Sequence, residues 1–456
     1  MADYYVKTDG DDEADGLSWP NAWATLSKAA TTAVAGDTVT FADGTYSVGG
    51  GQATWNDGSD GNVITFQALN EGQAVWKKSA HDGAVVDLSN VDYVTTDGFV
   101  IDGDYTASSW NGWRLVELDN STYISILNCT IQDARAHGIL ILGDCTEILI
   151  EDTEVNPNQY IDGGTRDGIL LQNSGTSNVT IRGCTVHNTD HVGVSVNCCD
   201  GFLIEDTTIH TTHSHCLQFG TPGAGSGNTI DNCVADRCTI YDSEGFGPDE
   251  PGQHHEGIFV AGGDVDSVTI QRCTIYDTDG SCIQLSNQVV GPITVINNTM
   301  HNPNSQGHGD MACIHMWSDS TSPTVTLKNN IFYSTRAAGY TVHISANYNA
   351  NLTADYNLYF AGAGANDDVR RGGVTYATYA AYQAVYESNS VIDDDPDFTD
   401  LGNDDYTLQA ASPAVDAGTN VGLPFQGAGP DIGAHERSAG GVPEVVIIVV
   451  VVVAMV

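Results

Sequence analysis

The chain has 456 residues, 50 of them glycine, and a formal net charge of −44 from 15 basic and 59 acidic side chains. With 41% hydrophobic residues it can bury a core, which excludes a compositionally disordered chain. The charge excludes nucleic acid as a partner, since phosphate binding needs clustered Lys and Arg, and it repels anionic polymers unless cations bridge them.

The chain opens on "MADYYVKTDGDDEADG", which has neither a basic start nor an apolar run, so no signal peptide is read here. The following "SWPNAWATLSKAATTAVAGDTVTFADGTYS" predicts one helix, roughly Ala22 to Val34, and a strand at Asp37–Phe41. A helix at this point would cover the open edge of the first strands.

From about residue 120 a short pattern recurs, clearest in "DRCTIYDSE" at 236–244 and "QRCTIYDTD" at 271–279. Its apolar residues, Ile131, Val155, Val186, Ile209, Ile240, Ile275, Met300, Ile331 and Leu358, give a period of about 28 residues. Two further alternating stretches accompany each copy, such as "NVTIRG" and "DGILLQN", with Asn, Gly and Asp between them. Three short strands per repeat predict an all-β fold, a single-stranded parallel β-helix solenoid. Aligned on the apolar residue, the repeats stack Cys129, Thr153, Cys184, Thr207, Cys238, Cys273, Asn298 and Asn329 in one column, and Cys216, Cys282 and Cys313 in another. Small inward residues near a turn explain these cysteines as packing rather than as ligands or nucleophiles. The eleven cysteines are an odd number, so at least one has no intrachain disulfide partner, and the neighbours Cys198 and Cys199 are expected to be free thiols.

Between the second and third strands of each repeat, the loops concentrate Asp, Glu, His and Arg along one edge of the solenoid. Acid–base catalysis on a glycan would draw on Asp190, His191, His213, His215, His255, Glu256, Asp279 and Asp310. Substrate contacts would come from Arg135 and Arg166 in the loops, and from Phe259, Gln284, His315 and Trp317 at outward strand positions. Oxygens of Asp167, Asp190 and Glu256 would suit Ca²⁺. Against both stands a third reading, in which these are ordinary turn residues on a solvated edge. The loop "YDSEGFGPDEPGQHHEG" at 241–257 is the longest of the series, and insertions in solenoids fall on the working face.

Beyond the repeats, expected domains are 1–60 as an N-terminal cap, 61–360 as coils, 361–440 as a C-terminal cap, and 441–456 as an apolar tail. The run Val445–Val456 is too short for an ordinary membrane-spanning helix, and its β-branched residues favour a strand used in assembly or anchoring.

The two ends carry a resemblance. Tyr4-Tyr5-Val6, Asp15-Gly16-Leu17-Ser18, Trp23-Ala24-Thr25, Ala35-Gly36-Asp37-Thr38-Val39 and Gly44-Thr45-Tyr46 resemble the opening of the pectate-lyase-like right-handed parallel β-helix superfamily. Asp395-Pro396-Asp397-Phe398, Tyr406-Thr407-Leu408, Ser412-Pro413-Ala414-Val415-Asp416-Ala417-Gly418 and Asp431-Ile432-Gly433-Ala434-His435-Glu436 resemble the terminal cap of many of its surface members. The resemblance implies the fold but not one activity, because the superfamily holds lyases, hydrolases, epimerases, tailspikes and adhesins. Its lyases use a Lys or Arg base beside calcium-bound carboxylates. Here Lys7, Lys28, Lys77, Lys78 and Lys328 all lie outside the loops, so Arg135 or Arg166 would have to serve. Asn188-Thr189-Asp190 and Gly307-His308-Gly309 match two polygalacturonase signatures, but without the Asp-Asp expected between them the match reads as coincidence. The resulting expectation is a glycan-binding protein of a cell surface or virion that could degrade its polysaccharide as a lyase or hydrolase. The alternative is a structural fibre or adhesin subunit, for instance a homotrimer.

Overall fold

Alternation with a period of two, broken once per strand end by a residue that tolerates positive φ, wraps this chain into stacked triangular coils. The computed structural model describes residues 1–49, 54–79, 83–104, 114–157, 166–173, 175–220, 229–243, 255–262, 265–286, 289–303, 311–317, 321, 323–335 and 339–437. Three long parallel sheets run its length. Sheet one has 14 strands, beginning with Asp3–Val6 and ending at Leu352–Asp355; sheet two has 13, from Gly44–Val48 to Val391–Ile392. Sheet three has 12, eleven parallel strands from Val86–Asp87 to Val369–Arg371 and a closing antiparallel strand Val374–Tyr376. The parallel β-helix read from the repeat is therefore the observed fold.

The predicted columns are real for most of their length. Ile131, Val155, Val186, Ile209, Ile240, Ile275 and Met300 pair in register on sheet two, and every one is fully buried. Each such side chain contributes about 2 kcal/mol of burial. The register then slips: Met300 pairs with Phe332, and Phe332 with Tyr359. Ile331 and Leu358 instead face outward, packed with Phe398, Tyr406, Leu408 and Ile432 of the C-terminal segment. The inward column consequently ends in Asn298, Asn330 and Asn357, and not in Asn329 as the spacing suggests. The cause is coverage. Where the C-terminal segment lies on sheet two, both faces of a strand are apolar and alternation no longer tells inside from outside.

At the corner from sheet one to sheet two each coil turns on one left-handed residue: Gly98, Asn128, Asp152, Gly183, Asp206, Arg237, Arg272, Asn297, Asn329 and Tyr356 all have φ between 48° and 79°. The next residue points inward, and its backbone N–H is met by the side chain below. Cys129 N–H donates to Thr153 Oγ1 (3.2 Å), Cys273 N–H to Asn298 Oδ1 (2.9 Å) and Asn330 N–H to Asn357 Oδ1 (3.0 Å). All eleven cysteines are free and buried, which matches the packing role, and burial pushes thiols such as Cys129 and Cys216 up to about 12. Arg237 and Arg272 take the left-handed conformation with their guanidinium groups on Glu205, Asp206 and Asp236 of neighbouring coils. The two copies of Arg-Cys-Thr-Ile-Tyr-Asp are thus adjacent coils, with Tyr241 and Tyr276 stacked at 5.0 Å.

Both ends are sealed. The N-terminal helix is Leu26–Thr32, shorter than the predicted span because Trp23 bridges to Val6 and Thr25 caps the helix by accepting from Lys28 N–H. At the other end Glu387, 1% exposed, accepts from Tyr359 and Tyr382 hydroxyls, the Asn357 amide and Ser390 Oγ, at 2.6–2.9 Å.

Candidate functional site

The corner from sheet two to sheet three is where the loops of different length fall. Just before it, Thr189, Thr212, Ser243 and Thr278 stack in register, all fully buried. Their hydroxyls donate to carbonyls of the turn that follows: Thr212 to Ser214 (3.0 Å) and Ser243 to His255 (2.6 Å). This hydroxyl ladder fixes the backbone at which the titratable residues begin.

Two groups of those residues form. In the first, Asp190 is fully buried, with Arg166 Nη1 at 3.6 Å and His213 Nδ1 at 3.8 Å. Beside it Asp167 Oδ1 accepts from His191 Nδ1 (2.6 Å) and from Val192 N–H (3.2 Å), while Asp167 N–H donates to His137 Nδ1 (3.1 Å). Burial pulls the His191 pKa down, but the Asp167 hydrogen bond and the charges of Asp167 and Asp190 outweigh it and leave the pKa raised. His137 is lowered by burial, only partly opposed by Asp167. The His191 side chain is 38% exposed and that of Asp167 7%, so the imidazole is the open part of the pair and the carboxylate orients it.

In the second group, Glu256 is 1% exposed and its Oε2 lies 2.8 Å from His215 Nδ1. Its Oε1 accepts no hydrogen bond among the described residues. Glu256 N–H also donates to His215 Nδ1 (3.1 Å), which seats the ring against the carboxylate. A Cβ on Gly280 would meet Glu256 Cδ at 3.1 Å, so the next coil packs tightly under the acid. The His255 carbonyl is held by Ser243 Oγ and Gly280 N–H, and Asp279 N–H donates to the Ser243 carbonyl.

Beyond the corner, the outward residues of sheet three stand in register: Ser195, Gln218, Phe259, Gln284, His315 and His343. Phe259 stacks on His215 at 4.3 Å, joining this column to the acid group, and His315 stacks on His343 at 4.5 Å. Trp317 follows the strand Ile314–Met316 and is 42% exposed.

Of the residues singled out from sequence, Arg166, Asp167, Asp190, His191 and His213 come together in adjacent coils, and His215, His255, Glu256 and Asp279 in the next ones. Arg135 is half-buried one coil before Arg166. Asp310, His254 and His308 lie outside the described residues. Sequence reasoning overlooked Gln218, although "HCLQFG" carries it at the same middle position as Phe259 and Gln284. No group of three or more His, Cys, Asp or Glu among the described residues is arranged to hold a metal ion. Asp167, Asp190 and Glu256 are instead each engaged by a different imidazole or guanidinium and do not converge on one Ca²⁺ cage.

The coils agree with comparisons to known proteins. A polygalacturonase of Saccharomyces cerevisiae is 25% identical over 198 residues, 41% of this chain and 52% of that protein, so the chain spans about half the length of this curated relative. Among solved structures, pectate lyase Pel9A matches with a TM-score of 0.61 at 16% identity, covering 96% of this chain and 97% of the other. The A-module of the mannuronan C-5 epimerase AlgE6 from Azotobacter vinelandii matches with a TM-score of 0.56 at 12% identity, covering 78% and 91%. These structural likenesses are of fold. A family model described as "Right handed beta helix region" matches residues 114–300 and 161–353, together more than half of the chain, and the protein belongs to that right-handed β-helix family.

Proposed function

We propose that the protein binds a polysaccharide along the corner between sheets two and three and hydrolyses it. The observation that carries this reading is the buried Glu256 carboxylate, set 2.8 Å from His215 in a column shared with Phe259. A carboxyl group and an imidazole at that distance exchange a proton, which a glycosidic oxygen needs as it leaves. His191, oriented by Asp167, is the second proton carrier and activates water; Arg166 and His213 hold Asp190 in place. Phe259 supplies an apolar face for a sugar ring, and Gln218, Gln284 and His315 supply hydroxyl partners along the chain direction. The polygalacturonase relative and the polysaccharide-acting structural neighbours support the substrate class.

Because a polymer of this kind does not cross a membrane, the reading carries an extracellular, cell-surface or virion setting. The test is incubation with a panel of polysaccharides, with and without calcium, reading both new reducing ends and the absorbance of unsaturated products. Reducing ends without absorbance, lost at least 100-fold in Glu256→Gln, are the expected result. Absorbance of an unsaturated product would replace hydrolysis by lyase chemistry based on Arg135 or Arg166. Neither product, together with no binding to any glycan, would overturn the reading in favour of a structural fibre or adhesin subunit.

A further inference from the structure

The groove's hydrogen-bonding inventory is lopsided. Among its described residues, the buried polar atoms without a hydrogen-bond partner include Oε1 of Glu256 and Oε1 of Gln284, and both are acceptors. Two of its arginines and one histidine, by contrast, already hold carboxylates of the chain. Arg114 clamps Glu117, which is 6% exposed, through Nε at 2.7 Å and Nη2 at 2.5 Å. Arg166 sits at Asp190, and His191 donates to Asp167 at 2.6 Å. Between Ser195 and His343 the register column beyond the corner carries no carboxylate and no permanent cation; Glu117 and Arg370 stand only towards its two ends. All five lysines lie elsewhere, at Lys7, Lys28, Lys77, Lys78 and Lys328.

We infer that the groove takes a neutral glycan, one whose hydroxyl groups donate to these acceptors, and not a uronate-bearing one. This rests on the proposed glycan-binding reading of the same corner. A hydroxyl can donate to an unsatisfied carboxylate or amide oxygen, whereas a uronate brings only further acceptors at its carboxylate. A chain of uronates along this corner would also set its charges against Asp167, Asp190, Glu256 and Asp279. Of the cations that could offset that repulsion, Arg114 and Arg166 are held inside the protein's own pairs, and Arg135 and Arg370 each lie four coils from Glu256. The two pairs Arg114–Glu117 and Arg166–Asp190 therefore neutralise the groove and leave selection to hydroxyl donors and the Phe259 ring. The preference is the opposite of the one suggested by the names polygalacturonase, pectate lyase and mannuronan epimerase.

The discriminating experiment is affinity electrophoresis of the full chain through gels containing xylan, galactan, arabinan or mannan, in parallel with polygalacturonate and alginate, each with and without calcium and at low and raised salt. Reducing ends are assayed on the same set. At least one neutral glycan should retard the protein about tenfold more strongly than either uronate polymer, with little change on adding salt. Gln284→Ala should weaken that retardation, while Thr326→Ala on the outer face of sheet one should leave it unchanged. Retardation or cleavage with polygalacturonate or alginate, in either calcium condition, and none with the neutral polymers would overturn the neutral-glycan inference while upholding glycan binding. No retardation and no product on any polymer would overturn both.

Discussion

The two corners that close each coil on either side of sheet two behave oppositely. From sheet one to sheet two every coil from Asn128 onward turns in the same way, on one left-handed residue followed by one small inward residue. From sheet two to sheet three the turn lengths differ, with four residues (190–193) between strands in one coil and fourteen (244–257) in another, and the residue ahead of the closing Gly or Cys changes from coil to coil: Asp167, Val192, His215, Glu256, Ser281 and Ala312. The first corner is constrained by its neighbours above and below, because each side chain there completes the backbone hydrogen bonding of another coil. The second is anchored by the Thr/Ser ladder before it and, at His137 and His215, by an imidazole that accepts a backbone N–H of the next coil, so its other side chains were left available for acids and guanidinium groups. Uniformity across coils marks what holds the solenoid together, and departure from it marks where chemistry can be placed.

Substitutions that interrogate the two corners should separate stability from activity. The largest loss of stability is expected at the end of the uniform column. Glu387→Ala strips the partner from two tyrosine hydroxyls, an amide and a serine, and should cost about 3–5 kcal/mol by chemical denaturation. Asn330→Ala, inside the same column, should cost about 2–3 kcal/mol, and Asn330→Thr distinctly less, since Thr fills that position in other coils. At the variable corner Glu256→Gln should change stability by less than about 1 kcal/mol while abolishing turnover; a loss as large as that of Asn330→Ala would erase the distinction.

The histidines allow a comparison by pH. His301, buried under Tyr406 on sheet two, is lowered by burial to about 4. Its folded value lies below its unfolded one, so the folded state binds fewer protons. The stability it protects is complete above about pH 6.5 and is lost as pH falls towards about 4. His191 is raised instead, and its contribution is complete below about pH 6.5 and lost as pH rises through the folded value. His301→Phe should therefore flatten the acid side of the stability profile, and His191→Phe the neutral side, as read from unfolding midpoints across pH. The smallest effect is expected at the left-handed column. Gly183→Ala places a Cβ 2.3 Å from Asp152 Oδ1 and should cost about 1–2 kcal/mol, whereas Arg272→Gly, which relieves left-handed strain as it removes the Asp236 contact, should stay within about 1 kcal/mol.

How far the sequence could be read follows from the same contrast. The repeat, the three strands per repeat and the cysteine column were legible because alternation works where one face of a strand is solvated, as at Thr239-Ile240-Tyr241. The column failed at Asn329 and at Ile331 because a segment some 70 to 100 residues later in the chain buries the outer face there, and no local pattern announces that contact. The helix was overextended because Ala22 and Trp23 have good helical neighbours but are claimed by the first strand. At the candidate site the residue types and the edge were legible, yet the pairings were not. His215 and Glu256 are 41 positions apart, and only the stacking of coils puts one ring against one carboxylate.

The in-register outward column of sheet three has a further consequence. Successive coils rise by the spacing of neighbouring strands, about 4.8 Å, so Ser195, Gln218, Phe259, Gln284, His315 and His343 form a row of evenly pitched marks. That pitch is comparable to the advance of one sugar unit in an extended glycan. A polymer laid parallel to the solenoid axis would meet one mark per residue, like a strip of film on its sprockets. Because a one-unit shift brings each sugar opposite the next mark, the row would let such a chain slide in single steps past the acid pair.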